Sequence, residues 1–121
     1  MATSVRSPIL LIWGAMSHLS NQAFGLIHRA TSFDARIRET AAEEIADVAA
    51  RITPAVGGLL AGVLVMASVE EVDSAALEAQ LNALLQLAEF LDPEISLCLK
   101  DIDRSAHPEV LGEYLDDLLA E

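Results

Sequence analysis

The sequence predicts an all-α fold, a compact bundle of five or six helices around a central apolar helix. Apolar residues make up 53% of the 121 positions, with only six Gly and four Pro, so the chain can bury a core and has few helix breakers. Apolar residues also recur at helical spacing along most of the chain, and no alternating strand pattern competes with them. We therefore expect one helical domain over residues 1–121.

The N-terminal half is predicted to hold three helices. The first spans about Pro8–His28, because proline fits the first helical turn and apolar residues follow it at helical spacing. The second spans about Phe33–Ile52, with Ser32 as its cap, and it has charges on one face and apolar residues on the other. The third spans about Pro54–Ser68, with Thr53 as its cap.

The C-terminal half is predicted to hold three more. The fourth helix spans about Ser74–Leu91 and has a stripe of leucines with polar residues beside it. Asp92 and the proline after it restart the chain as a short fifth helix, which ends at about Arg104. The sixth spans about Pro108–Ala120, with its leucines facing inward.

The third helix is apolar on all sides and is the predicted centre of the bundle. Residues 52–69 form an uncharged stretch of 18 residues, and this length is the lower limit for a membrane span. However, Pro54 and three glycines reduce the apolar surface of this stretch. We therefore favour a buried helix over a membrane span. Gly58 and Gly62 have a spacing that lets a neighbouring helix approach closely, and Trp13 of the first helix is another expected packing residue.

Acidic residues are concentrated in the last part of the chain. The formal net charge is −12, and fourteen of the nineteen acids lie in residues 70–121, where only Lys100 and Arg104 oppose them. Residues 1–33 contain no acid. Nucleic acid is not an expected partner, because phosphate contacts need clustered Lys and Arg. The sequence therefore predicts one strongly negative surface and one nearly neutral region.

The sixth helix and the segment before it form the candidate partner-binding surface. Glu109, Glu113 and Asp116 recur at positions i, i+4 and i+7, a single stripe opposite the leucines. Such a stripe suits docking on a basic partner surface, although it also serves solubility. The six candidate residues are Asp101, Asp103, Glu109, Glu113, Asp116 and Asp117.

A second acidic group lies on the second helix, where Glu39, Glu43 and Asp47 share one face at a spacing that can bind Mg²⁺. The stretch EEIADV (Glu43–Val48) resembles the second metal helix of the all-α nucleotide pyrophosphatases related to MazG. The resemblance implies a Mg²⁺-dependent nucleotide hydrolase. That family also has an E-x-x-E pair on the preceding helix, where this chain has no acid. We therefore favour a solvated helix face and expect no metal and no cofactor.

The remaining reactive side chains do not form a catalytic pattern in the sequence. His18, His28 and His107 have no zinc or di-iron spacing. Cys98 is the single cysteine, so it cannot form an internal disulfide, and we expect it on the inward face of the fifth helix as a small apolar residue. We therefore expect no catalytic residue and no enzyme activity.

The function expected from these features is non-catalytic protein binding in the cytoplasm. The partner would have a basic surface, and the chain would be of the inhibitor, anti-defence, immunity or adaptor type. The alternative is a helical protein that binds an apolar ligand or a membrane surface, and the hydrolase is the least favoured. The first and third helices have more apolar surface than a small monomer readily covers, so a homodimer is also expected.

Overall fold

Helices and short turns make up most of residues 21–120, the part of the chain that this computed structural model describes. No β-strand occurs in that part, so the predicted all-α class is confirmed. The α-helices are α1 (described from residue 21 to its end at residue 30), α2 (Ala35–Val48), α3 (Pro54–Glu70), α4 (Ser74–Gln86), α5 (Pro93–Ser96) and α6 (Val110–Leu119). The connecting 3-10 helices are Ala49–Arg51, Ala88–Phe90, Leu97–Asp101 and Arg104–Ala106.

The starts of α3, α4 and α5 lie at the predicted residues because a side chain caps each of them. Oγ1 of Thr53 accepts a hydrogen bond from the backbone N–H of Val56 at 3.3 Å. Oδ1 of Asp73 accepts one from the N–H of Ala76 at 2.9 Å, and Asp92 caps the first turn of α5 in the same way. These bonds satisfy N–H groups that have no partner inside the helix.

The second helix begins later than predicted and ends earlier. Its cap is Asp34, whose side chain accepts from the N–H of Arg36 at 2.8 Å, and not Ser32. The Ser32 hydroxyl instead accepts from the N–H of Asp34 at 3.1 Å, so it shapes the turn before the helix. The helix ends at Val48, and a 3-10 turn replaces the predicted continuation to Ile52.

Other bounds differ as well. α1 and α3 each end two residues later than predicted, at Ala30 and at Glu70. α4 ends at Gln86 rather than Leu91. The predicted fifth helix is one α-helical turn followed by a 3-10 helix, and it ends at Asp101 rather than Arg104. α6 begins two residues later than predicted, at Val110. Apolar spacing continues past the ends of α4 and α5, where 3-10 helices follow, and periodicity alone does not distinguish the two helix types.

α4 lies at the centre of the bundle, since α2, α3 and α6 all pack on it. Its Leu77, Leu81 and Leu84 are fully buried. The apolar character of α3 predicts the central position for that helix, but Leu59 and Met66 of α3 are 47% and 73% exposed. The bundle therefore has a central apolar helix, but this helix is α4 and not α3. A helix is central when several others pack on it, and apolar composition alone does not show this.

Gly58 and Gly62 do not mark the close approach expected of them in the described part of the chain. A Cβ atom built on Gly62 would have no heavy atom of that part within 4 Å, and one on Gly58 would meet only the carbonyl oxygen of Phe90, 3.8 Å away. The tight position is Gly57, where a Cβ atom would lie 2.9 Å from Cε2 of Phe90. Trp13, the third expected packing residue, lies outside the described residues.

Candidate binding surfaces

Six acidic side chains near the end of the fold are exposed, and we call them the acidic surface. Three of them lie on α6, because this helix buries Leu111, Leu115 and Leu118 and turns its other side to solvent. Of the other three, Asp101 lies on a 3-10 helix, Asp103 directly precedes one, and Glu109 directly precedes α6. The members are Asp101, Asp103, Glu109, Glu113, Asp116 and Asp117.

Arg104 joins two parts of the acidic surface. Its Nη1 donates to Oδ1 of Asp116 at 2.9 Å and to the carbonyl oxygen of Gly112 at 3.5 Å. These contacts hold the 3-10 helix that begins at Arg104, and with it Asp103, beside α6. Asp101 makes no hydrogen bond or ion pair with α6 within the described range. This role of Arg104 is not predictable from the sequence, because twelve positions separate it from Asp116.

Most of the acidic surface has no neutralising partner among residues 21–120. Asp103 accepts hydrogen bonds from the hydroxyl of Ser105 at 2.6 Å and from its N–H at 3.0 Å, and these bonds hold the pKa of Asp103 below its ordinary value. Glu109, Glu113 and Asp117 form no ion pair with any other residue between 21 and 120. Exposed carboxylates are ionised at neutral pH, so this side of the fold carries a concentrated negative charge.

A second surface, built from α1, α3 and the turn after α1, exposes large apolar side chains, and we call it the apolar face. On α3, Leu59, Val63 and Met66 follow at i, i+4 and i+7 and form one stripe. Phe24 of α1 is 61% exposed, and Phe33, between α1 and α2, is fully exposed. Phe33, Val63 and Met66 line one groove, so this part of the apolar face is contiguous, as is typical of binding surfaces on small proteins.

Phe33 stands at the edge of a groove of about 450 Å³ between the end of α1 and the second half of α3. Val63 and Met66 are among its apolar lining residues, and Arg38 and Glu71 lie at its charged end. The sequence predicts an excess of apolar surface on the first and third helices. It does not predict the groove, which depends on how these two helices cross.

Arg38 and Glu71 form a bidentate ion pair beside this groove. Nε and Nη2 of Arg38 donate to Oε1 and Oε2 of Glu71, each at 2.7 Å, and the Glu71 side chain is only 1% exposed. Burial alone would raise the pKa of Glu71. Hydrogen bonds from Arg38, from the N–H of Asp73 and from Gln80 outweigh it and hold this pKa below its ordinary value. The pair ties α2 to the link between α3 and α4.

The candidate metal ligands do not converge in the described part of the chain. Glu39 and Glu44 pair with Arg36 and Arg29 instead. Between residues 21 and 120, no group of three or more His, Cys, Asp or Glu side chains could hold a metal ion. Of the acidic side chains of α2, Glu39 and Glu44 are therefore engaged in ion pairs, and the described residues give no support to a magnesium site.

Ser74 and His107 lie together although 33 positions separate them in the sequence. Oγ of Ser74 is 2.8 Å from Nδ1 of His107, and both side chains are half-buried. No carboxylate of the described residues hydrogen-bonds to the ring, as an activated serine would need. The contact therefore fastens the segment before α6 to the first turn of α4.

Cys98 is exposed, and the expected inward position is wrong. The chain forms a 3-10 helix over Leu97–Asp101, and this helix buries Leu99 in the core. The prediction assumed an α-helix through this segment. Because a 3-10 helix has fewer residues per turn, the side chain of Cys98 instead points towards solvent.

No family model, curated protein or solved structure matches this chain. Among the helices of residues 21–120, none has the length and apolar character needed to cross a membrane. What the fold defines is a small all-α bundle with two distinct surfaces. One is acidic and centred on α6, and the other is apolar and built from α1 and α3.

Proposed function

We propose that this chain is a non-catalytic protein-binding module that docks through its acidic surface on a basic surface of a protein partner. Docking of this kind is compatible with an inhibitor, immunity or adaptor role. The observation that carries the proposal is the exposure of all six side chains of the acidic surface. We place the protein in the cytoplasm, because a single exposed thiol fits a reducing compartment.

The charge of the acidic surface would act before the two proteins touch. Attraction between surfaces of opposite charge speeds association, and salt screens it beyond about 8 Å at physiological ionic strength. The ion pair between Arg104 and Asp116 is exposed, so it adds little stability and leaves most of the negative potential in place. A nucleic acid would be repelled by this surface, whereas a Lys- and Arg-rich protein surface would be attracted.

Charge reversal on α6 tests the proposal. Glu113 and Asp117 share one side of α6, are exposed and form no ion pair in the described part, so a Glu113→Lys, Asp117→Lys variant should stay folded. We expect it to associate with the partner at least about tenfold more slowly at low salt. The matched control is Glu43→Lys, Asp47→Lys on α2, which has the same spacing, exposure and charge change.

The partner is first isolated by affinity capture from a lysate of the source cells, with the wild type and both double variants as bait. Stopped-flow measurements then give the association rate at low and high salt. The proposal requires that the α6 variant lose capture and rate while the α2 control keeps most of both. Equal behaviour of the two variants, or a rate that does not depend on salt, would contradict docking through the acidic surface.

A further inference from the structure

We propose that the apolar face is the contact surface for a second copy of this chain, in a homodimer with two-fold symmetry. In this dimer, Phe33 of each protomer inserts into the groove lined by Val63 and Met66 of the other. The acidic surface is not part of this contact, so the inference stands independently of the proposed docking on a basic partner.

Phe33 lies beside the groove in a position that suits contact with a second copy. Its side chain is fully exposed, although burial of a phenylalanine is strongly favourable. The groove next to this side chain has a volume of about 450 Å³. Met66, which is 73% exposed, lines the groove. A protruding side chain next to an apolar groove is self-complementary, because a two-fold axis between two copies places each Phe33 against the groove of the other.

The distribution of charge over the chain also favours contact through the apolar face. Two chains that each carry −12 repel one another wherever their acidic residues meet. Arg38 and Glu71 at the end of the groove neutralise each other, and Arg29 on α1 is paired with Glu44. Contact through the apolar face therefore buries little net charge, and it keeps the acidic surfaces out of the interface.

The same charge argues against a lipid surface as the occupant. Helices that lie on membranes combine an apolar face with Lys and Arg along its border, which anionic headgroups attract. Along the groove, the charged residues are Arg38, Glu70 and Glu71, and Arg38 is already bound to Glu71. A negatively charged membrane would repel this chain, whereas a second copy offers the same apolar face, on which Glu70 is the one charged groove residue outside the Arg38–Glu71 pair.

Sedimentation equilibrium of the full chain over the micromolar range tests the proposal. The wild type should sediment as a dimer, with twice the 12.9 kDa mass of one chain. Phe33→Asp and Met66→Asp should each raise the dimer dissociation constant by about 100-fold. Each substitution occurs at both symmetry-related contacts, and a loss of affinity of about tenfold at each contact gives about 100-fold for the dimer. Far-UV circular dichroism should show both variants folded, because both side chains are exposed.

The control is Leu97→Asp, which places the same charge at a 52% exposed apolar residue away from the groove. This variant should dimerise like the wild type, and so should the Glu113→Lys, Asp117→Lys variant. Three results would overturn the proposal. One is a wild type that is monomeric at all concentrations. Another is a dimer that does not respond as proposed, either because Phe33→Asp and Met66→Asp leave it intact or because the control Leu97→Asp also dissociates it. The third is monomeric wild type that binds phosphatidylcholine–phosphatidylserine vesicles through Phe33.

Discussion

α3 and α4 are consecutive helices rich in apolar residues, yet they place these residues differently. In α4, Leu77 and Leu84 are fully buried, because helices pack on this element from three directions. In α3, Leu60 is fully buried, while Leu59 and Met66 on another side are 47% and 73% exposed. Similar apolar content therefore serves two purposes. In α4 it stabilises the fold, and in α3 part of it remains accessible for binding.

The same leucine-to-alanine change in each helix measures this difference directly. Leu84→Ala in α4 should lower the free energy of unfolding by about 3–4 kcal/mol, since it removes buried methyl groups and leaves a cavity. Leu59→Ala in α3 should lower it by less than about 1 kcal/mol, because this side chain is half-exposed. Urea unfolding followed by circular dichroism gives both values. Equal losses would mean that the outer side of α3 is packed as tightly as α4.

The junction between the two helices depends on Glu71, which binds Arg38 of α2 and Gln80 of α4. Glu71→Gln should lower the free energy of unfolding at neutral pH by about 2–3 kcal/mol, because it leaves the Arg38 guanidinium without its counter-charge. The matched control is Glu70→Gln, one position earlier at an exposed carboxylate, and it should change stability little.

The effect of Glu71→Gln should also depend on pH. The pKa of Glu71 is lower in the folded protein than its ordinary value of 4.5. Its contribution to stability is therefore complete above that value and is lost as the pH falls through the lower, folded-state pKa. The difference in melting temperature between wild type and Glu71→Gln should be constant above about pH 5.5 and shrink below it. A difference that stays constant down to strongly acidic pH would show that the charge of Glu71 does not matter.

The smallest expected effects, and the sharpest contrast within α3, come from two glycines. Gly57→Ala should destabilise the protein by about 1–2 kcal/mol, because the new Cβ atom would overlap the ring of Phe90. Gly62→Ala should stabilise it by about 0.5–1 kcal/mol, since alanine is the better helix former and no described atom lies within 4 Å of its Cβ. Thermal unfolding measures both, and changes of the same sign would contradict the packing described for α3.

Local signals in the sequence predict where several helices begin. Thr53, Asp73 and Asp92 are short polar residues placed before helical segments, and each caps the helix that follows. The start of α2 is less determined, because Ser32 and Asp34 are both good caps and the turn geometry selects Asp34. Such signals describe one helix at a time. They do not indicate that α4 is central, since that depends on the packing of the whole bundle.

The two surfaces differ in how far the sequence predicts them. The spacing of Glu113 and Asp116 opposite the leucines of α6 predicts their exposure, and both are exposed. That they dock on a partner stays a prediction. The groove beside Phe33 and the pair of Arg38 with Glu71 join residues from separate helices. Apolar periodicity and charge counts carry no information on such distant contacts, so sequence reasoning missed them.

The exposed thiol of Cys98 has a practical consequence. It is the only cysteine in the chain, so a maleimide dye or a nitroxide spin label attaches at a single known position without any substitution. In a symmetric dimer, the two labels would give one distance between the copies. The same thiol can be oxidised to a disulfide between two chains. A covalent dimer of that origin would imitate self-association, so measurements of oligomeric state need a reducing agent throughout.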